Sequence, residues 1–222
     1  MAKRTFISWS TGKDSAWATY QLQSDPTVKL EGILCTVNGE HQRTAMHAVR
    51  LELLRAQAEQ LALPLKIIEI PYPCSNEQYT EIMSQATEQL RVDGIEYLSF
   101  GDLYLEDIRQ YRIDNLQGTG IAPIFPLWMR DTKGLASEIV NSGLRAIITC
   151  IDPKKLDASF AGREYDQSFL DDLPEGVDPC GENGEFHSFV FAGPMFKSCI
   201  SIEVGETVAR DGFVFADLLI TQ

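Results

Sequence analysis

The sequence predicts an α/β protein: a parallel sheet with helices on both faces, followed by a smaller C-terminal α+β module. Three observations carry this. Short apolar runs alternate with helix-period segments from Phe6 to Ile151, as βαβ units require. The first of these runs passes directly into a polar turn of small residues, Ser10-Thr11-Gly12-Lys13-Asp14-Ser15. After Ile151 the composition shifts to proline, glycine and acid, and the closing segments alternate apolar with polar residues, as antiparallel strands do. The division falls at 1–151 and 152–222.

Taken in order, Phe6 to Ser10 reads as a strand and a helix begins near Asp14. Leu30 to Val37 is apolar enough for a buried strand, which Asn38-Gly39 closes with a turn signal. Met46, Val49, Leu53, Leu54, Ala58 and Leu61 recur at spacings of three and four, predicting a long helix that ends before Pro64. Leu65 to Ile70 is a third strand, stopped by Pro71 and Pro73. A helix from Asn76 to Arg91, a strand from Ile95 to Phe100, a helix from Asp131 to Ser142 and a strand from Arg145 to Ile151 complete the first unit. Cys199 to Val204 and Phe213 to Ile220 read as antiparallel strands of the second.

At 222 residues and 44% hydrophobic content the chain can bury a full core. Its net charge of -13 disfavours a grip on a nucleic-acid backbone, which rests on Lys and Arg neutralising phosphates. Nucleic acid is therefore not an expected partner. No apolar run reaches a membrane span, and Lys3 and Arg4 lead into a short strand rather than a signal segment, so a cytoplasmic location is expected. Cys35, Cys74, Cys150, Cys180 and Cys199 form no CxxC pair and read as reduced thiols. Cys35, Cys150 and Cys199 sit in apolar runs, where a buried, inert thiol is expected. His41, His47 and His187 fall at no familiar metal-ligand spacing with the cysteines.

The turn from Ser10 to Ser15 has the chemistry of a phosphate site. Small residues let backbone N–H groups approach an anion, the hydroxyls add donors, Lys13 adds positive charge, and the following helix aims its N-terminus at the ligand. It is not a Walker A loop: Asp14 follows Lys13 where a hydroxyl residue is needed, and Ile7 stands where the first glycine belongs. Nor does it carry the glycine spacing of a dinucleotide site. Ligands of parallel α/β sheets bind beyond the carboxyl ends of the strands. Gly101-Asp102, at the end of the Ile95 to Phe100 strand, is thus expected on the same edge.

Two further clusters carry chemistry. In GDLYLEDIRQYRIDN, Asp102 at a strand end suits Mg²⁺, while Arg109 and Arg112, three apart, would share one helix face suited to phosphate or carboxylate. Glu106 and Asp107 are their competing partners. In DPCGENGEFHSFVFAGPMF, glycines permit tight turns while Glu182, Glu185 and His187 bring titratable groups together ahead of an apolar strand. Glu185 and His187 would share a face of that strand if the segment is extended.

The turn resembles the pyrophosphate loop SGGxDS of the adenine nucleotide α-hydrolase-like, or PP-loop, enzymes, with Thr11 in place of the first loop glycine. Taken together, STGKDS, GDLYLEDIRQYRIDN, PLWMRD and DPCGENGEFHSFVFAGP resemble, in order, the diphthine-ammonia ligase family, whose ATP-binding domain is of the N-type ATP pyrophosphatase kind. The resemblance spans Phe6 to Phe196. It implies a Rossmann-like ATP-binding domain and a smaller module that closes over ATP. It also implies that Ser10, Thr11, Gly12, Lys13, Asp14, Ser15, Gly101 and Asp102 bind ATP, with Asp14 and Asp102 on Mg²⁺. Arg109, Arg112, Glu182, Gly184 and Glu185 would line the acceptor side, and Glu185 or His187 would act as base. Ala192, often Asp in the family, is a second departure from the pattern.

The activity implied is adenylation of a carboxylate with pyrophosphate release, then attack by ammonia. The acceptor carboxylate is protein-bound or a small molecule, and association into a homo-oligomer is compatible with the sequence. The rival readings are a PP-loop ATP pyrophosphatase acting on a small metabolite carboxylate, and a non-catalytic adenine-nucleotide sensor. Lys13→Ala is expected to abolish turnover with folding intact.

Overall fold

The computed structural model describes residues 2–44 and 48–221. Met46 of the predicted helix and His47 lie outside the described residues. The elements run β1 (Lys3–Ser8), α1 (Lys13–Gln23), β2 (Val28–Asn38), β3 (Arg43–Thr44), α2 (Leu51–Leu61), β4 (Leu65–Ile70), α3 (Asn76–Val92), β5 (Tyr97–Ser99), α4 (Glu106–Leu116) and β6 (Ala122–Ile124). There follow α5 (Thr132–Asn141), β7 (Arg145–Ile151), a 3-10 turn (Ala158–Phe160), α6 (Gln167–Asp172), β8 (Phe186–Ala192), β9 (Ile202–Arg210) and β10 (Phe213–Ile220).

The first sheet is predominantly parallel. β1 lies between β2 and β5, β4 adds outside β2, β6 adds outside β5, and the two-residue β3 pairs antiparallel with the end of β2. Successive strand residues face opposite sides. Ile7, Ile33 and Cys35 pack with Trp17, Ala18 and Leu22 of α1 and with Leu54, Ala58 and Leu61 of α2. Phe6, Leu34 and Leu98 pack on the other side with Ala86 and Leu90 of α3 and Leu116 of α4. Helices therefore cover both faces, as the alternating pattern predicts. Among the described residues no helix is long and apolar enough to cross a membrane.

The second sheet is antiparallel, in the order β8-β7-β10-β9. Its strand β7 has the predicted bounds but not the predicted company: Arg145 to Ile151, read as the last strand of the first unit, pairs with β8 and β10. The cause is visible in its burial, with six of seven residues buried. An apolar run buried on both faces looks the same in either kind of sheet. One face of this sheet (Ala146, Ile148, Val190) joins the core containing α1 and α5, and the other (Ile147, Phe189, Phe191) packs on Val49 and on Leu53 of α2.

Cap chemistry sets several helix bounds. Ser75 and Gln78 form a capping box at the start of α3, and the Asp131 side chain accepts from Gly134 N at 2.7 Å to start α5. Val49 stands outside α2 as a buried loop residue. Cys35 and Cys150 are buried, and burial pushes both thiols up to about 12. Cys199 is exposed, contrary to expectation. Ser198 is held at the surface by Gln60 Oε1, accepting from its N at 2.9 Å and its Oγ at 2.7 Å, and Ile200 takes the inward position.

Candidate active site

β1 and β5 are adjacent, and the chain proceeds to opposite sides of the sheet from them: β2 and β4 one way, β6 the other. This is a topological switch point, where open α/β sheets bind ligands beyond their carboxyl ends. The turn 10–15 follows β1 and Gly101-Asp102 follows β5, so both predicted segments meet there. They meet very closely. A Cβ on Gly101 would lie 2.8 Å from both Asp14 C and Ser15 N, so only glycine lets this strand end rest on the first turn of α1.

A cleft of about 1210 Å³ opens at this point, larger than the roughly 300–1,000 Å³ of most small-molecule sites. Its floor includes Ser10, Asp14, Ser15, Gly101 and Asp102, with Trp9 and Leu34 to Thr36 beside them. One wall comes from α3 and α4, including Tyr79, Tyr111 and Arg112. The other comes from the C-terminal module, through Gly181, Glu182, Phe186 and His187.

The turn is held by its own hydroxyls. Ser10 Oγ lies 3.0 Å from Ser15 Oγ and accepts from Gly12 N at 3.3 Å, and Ser15 Oγ donates to Gly12 O at 3.0 Å. Gly12 is the N-cap of α1 and makes no side-chain cap, and Ser188 Oγ accepts from Lys13 N at 3.2 Å. The first turn of α1 thus presents backbone donors and a partial positive charge at the cleft. Thr11 has φ +74°, in the left-handed region that favours glycine and is uncommon for a β-branched residue. The glycine usual at this position has that physical basis.

Several predicted residues lie elsewhere. Lys13 is buried, 2% exposed. Its Nζ donates to both Asp14 carboxylate oxygens, at 3.0 and 2.8 Å, and to the Cys180 carbonyl. It also sits 5.5 and 5.4 Å from the Tyr165 and Phe186 ring centroids. The ammonium therefore faces the C-terminal module and does not line the cleft. Burial works against its charge, but Asp14, Cys180 and Glu182 together outweigh this and the lysine titrates above its ordinary value. Glu185 is also buried, accepting through Oε1 from Asp178 N at 3.2 Å and Asn183 Nδ2 at 3.0 Å. Glu185, Gly184, Thr11 and Gly12 do not line the cleft. Arg109 stacks over Trp128 at 4.8 Å and Phe125 at 5.4 Å and leaves the cleft to Arg112. Of its predicted competitors Glu106 is close, at 3.8 Å. Ala192 closes β8 opposite Arg145, also outside the cleft.

The acidic groups that do line it are Asp14, Asp102, Asp114 and Glu182. Burial pushes the Asp14 carboxyl up, against the pull of Lys13. Burial raises Asp102 as well, opposed by Arg112 and reinforced by the Asp14 charge. Burial moves Glu182 up to about 7, although its Oε1 accepts from Leu103 N at 2.7 Å. Asp102 Oδ2 is buried and without a hydrogen bond, its ion pair to Arg112 Nε being 3.5 Å long. Among the described residues no three His, Cys, Asp or Glu side chains form a closed metal site. Two carboxylates, one with an unsatisfied oxygen, still fit Mg²⁺, which keeps waters and takes its other ligands from substrate phosphates.

The sequence reading missed Gln57. Its side chain is fully buried in α2, accepting from Trp9 Nε1 at 2.8 Å and donating to the carbonyls of Thr11 at 3.0 Å and Val190 at 2.7 Å. The signal was present: Gln57 lies four residues from Leu53 and four from Leu61, a polar residue in the middle of the apolar stripe.

The chain is similar to proteins of one family. The family model described as "Diphthamide synthase N-terminal domain" matches residues 3–119, and "Diphthamide synthase C-terminal domain" matches 131–216. A diphthine–ammonia ligase of Danio rerio is 34% identical over 149 residues, covering 63% of this chain and 56% of that protein. Those of Bos taurus and Homo sapiens are 29% and 28% identical over 195 and 192 residues, each covering 79% of this chain and 70% of the relative. The first family model takes in more than half of the chain and the second most of the remainder, and this chain belongs to the diphthamide synthase family.

Proposed function

We propose that this protein is an ATP-dependent ligase that converts a carboxylate to an amide with ammonia. The acceptor oxygen attacks the α-phosphorus of ATP and the bond to the β-phosphate breaks, releasing pyrophosphate. Ammonia then attacks the acyl carbon, AMP leaves with the carboxylate oxygen, and a proton is lost from nitrogen. The observation that supports this best is the placement of Ser10, Asp14 and Ser15, at the start of α1, in the cleft that also holds Asp102, Glu182 and His187.

In this reading the hydroxyls of Ser10 and Ser15 and the first-turn N–H groups of α1 hold the phosphates. Asp14 and Asp102 hold Mg²⁺, which when bound neutralises phosphate charge. Arg112 offers a second positive contact. Lys13 contributes by fixing Asp14 rather than by touching phosphate. Glu182, titrating near 7, and His187 are the cleft groups able to take the proton from ammonium. The acceptor would be diphthine, as the names of the relatives indicate. The test is incubation with ATP, ammonium and a diphthine-bearing translation factor, with products identified by mass spectrometry. AMP, pyrophosphate and the amide are expected. ADP and phosphate would overturn adenylation, and tight ATP binding without turnover on any carboxylate would favour a nucleotide sensor.

A further inference from the structure

We propose that Gln57 is a positioning residue that sets the phosphate-binding conformation of the Ser10 to Ser15 turn. This inference rests on the nucleotide reading of that turn. Thr11 is fully buried at φ +74° and its Oγ1 has no hydrogen-bond partner, so its own side chain does nothing polar to hold this conformation. Strained backbone of this kind persists where the surroundings over-determine it. The determinants here converge on the Thr11 carbonyl, which accepts from Gln57 Nε2 at 3.0 Å and from Val190 N at 3.0 Å.

The geometry carries a functional consequence. In a trans peptide the C=O and N–H vectors point in opposite directions. Fixing the Thr11 carbonyl toward α2 and β8 therefore turns the Gly12 N–H away from them, toward Ser10 Oγ and the cleft side of the turn. The Gln57 amide is itself locked. Its Oε1 is occupied by Trp9 Nε1 and its second donor interaction goes to the Val190 carbonyl, so its orientation is defined by β1's end, the turn and β8 together. One buried side chain on α2 thus ties the phosphate turn to the C-terminal sheet.

Gln57→Met keeps the length of the side chain and removes both donors. Binding of inorganic pyrophosphate and of adenosine is measured by calorimetry on the full chain, with thermal melting as the control for folding. The expected result is a loss of pyrophosphate affinity of about tenfold, as two hydrogen bonds on one carbonyl are reduced to one, with adenosine affinity unchanged. A merely structural residue would weaken both ligands equally or neither, and either result overturns the proposal. Thr11→Gly combined with Gln57→Met is the second variant, because glycine adopts a positive φ without strain. It is expected to bind pyrophosphate within about threefold of wild type; a tenfold loss in this variant overturns the proposal, as does failure of both variants to fold, which would make Gln57 a merely structural residue. A wild-type chain that binds neither ligand overturns the nucleotide reading itself, and the inference falls with it.

Discussion

Lys13→Met separates the phosphate-ligand role that sequence assigns to Lys13 from the structural role its burial implies. The substitution preserves length and apolar bulk while removing the ammonium. It leaves the Asp14 carboxylate without its two contacts at 3.0 and 2.8 Å and the Cys180 carbonyl without its donor. Breaking a buried ion pair by removing one partner costs about 3–5 kcal/mol. For a domain of this size that lowers Tm by roughly 6–20 °C. The pH dependence has a definite sign. Burial already raises Asp14, and loss of the Lys13 charge raises it further. A carboxyl whose folded pKa lies above its unfolded value contributes stability at pH below the unfolded value and loses it as pH rises through the folded one. The deficit of the variant therefore shrinks as pH falls from 8 toward the ordinary carboxylate range, measured by urea unfolding across that span. A variant as stable as wild type at pH 8 yet unable to release pyrophosphate would refute the reasoning. It would place the ammonium in the cleft, as the expectation of intact folding requires.

Gly101→Ala puts a methyl group 2.8 Å from the Asp14 and Ser15 backbone and should cost about 1–3 kcal/mol together with a loss of ATP affinity; unchanged ATP titration would show that the contact is not tight. Glu182, raised to about 7, contributes stability that is complete below its ordinary value near 4.5 and lost as pH rises through 7. Glu182→Gln should flatten the fall in urea midpoint between pH 5 and pH 8, and an unaltered slope counts against that titration. Asp217, on β10, accepts from Arg43 at 2.9 Å and Arg50 at 2.6 Å, and these hydrogen bonds, overcoming burial, hold its carboxyl down at about 2. That contribution is present above about pH 4 and lost as pH falls through 2. Asp217→Asn should therefore lower stability at pH 7 by about 1–2 kcal/mol after solvent screening, a difference that thermal melts would find shrinking toward pH 2.

The parallel sheet was legible because its signals are local. Leu65–Ile70 and the bounds of α5 follow from proline punctuation, apolar runs and the cap at Asp131. The destination of Arg145–Ile151 was not legible, since burial on both faces carries no information about the direction of a neighbouring strand. Lys13 shows the same limit at the site. A lysine in a phosphate turn reads as a phosphate ligand, and nothing local reveals that Cys180, Tyr165 and Phe186 arrive from the other sheet to enclose it. Glu182 and Glu185 are equivalent by spacing. The left-handed turns at Gly181 (φ +69°) and Gly184 (φ +79°) separate them, putting the first on the cleft and the second in the interior.

These misses share a cause, because the turn from Ser10 to Ser15 is not a property of the N-terminal sheet alone. Val190 N bonds the Thr11 carbonyl at 3.0 Å, Ser188 Oγ accepts from Lys13 N at 3.2 Å, and the Cys180 carbonyl accepts from Lys13 Nζ. Three of the bonds that shape a turn following β1 therefore come from residues more than 160 positions later, and local sequence cannot encode such partners. The second sheet does more than border the cleft through Glu182 and His187. By fixing the Thr11 carbonyl and the Lys13 ammonium it holds the turn itself, so a displacement of β8 relative to β1 would move the turn and the Glu182 and His187 side of the cleft together.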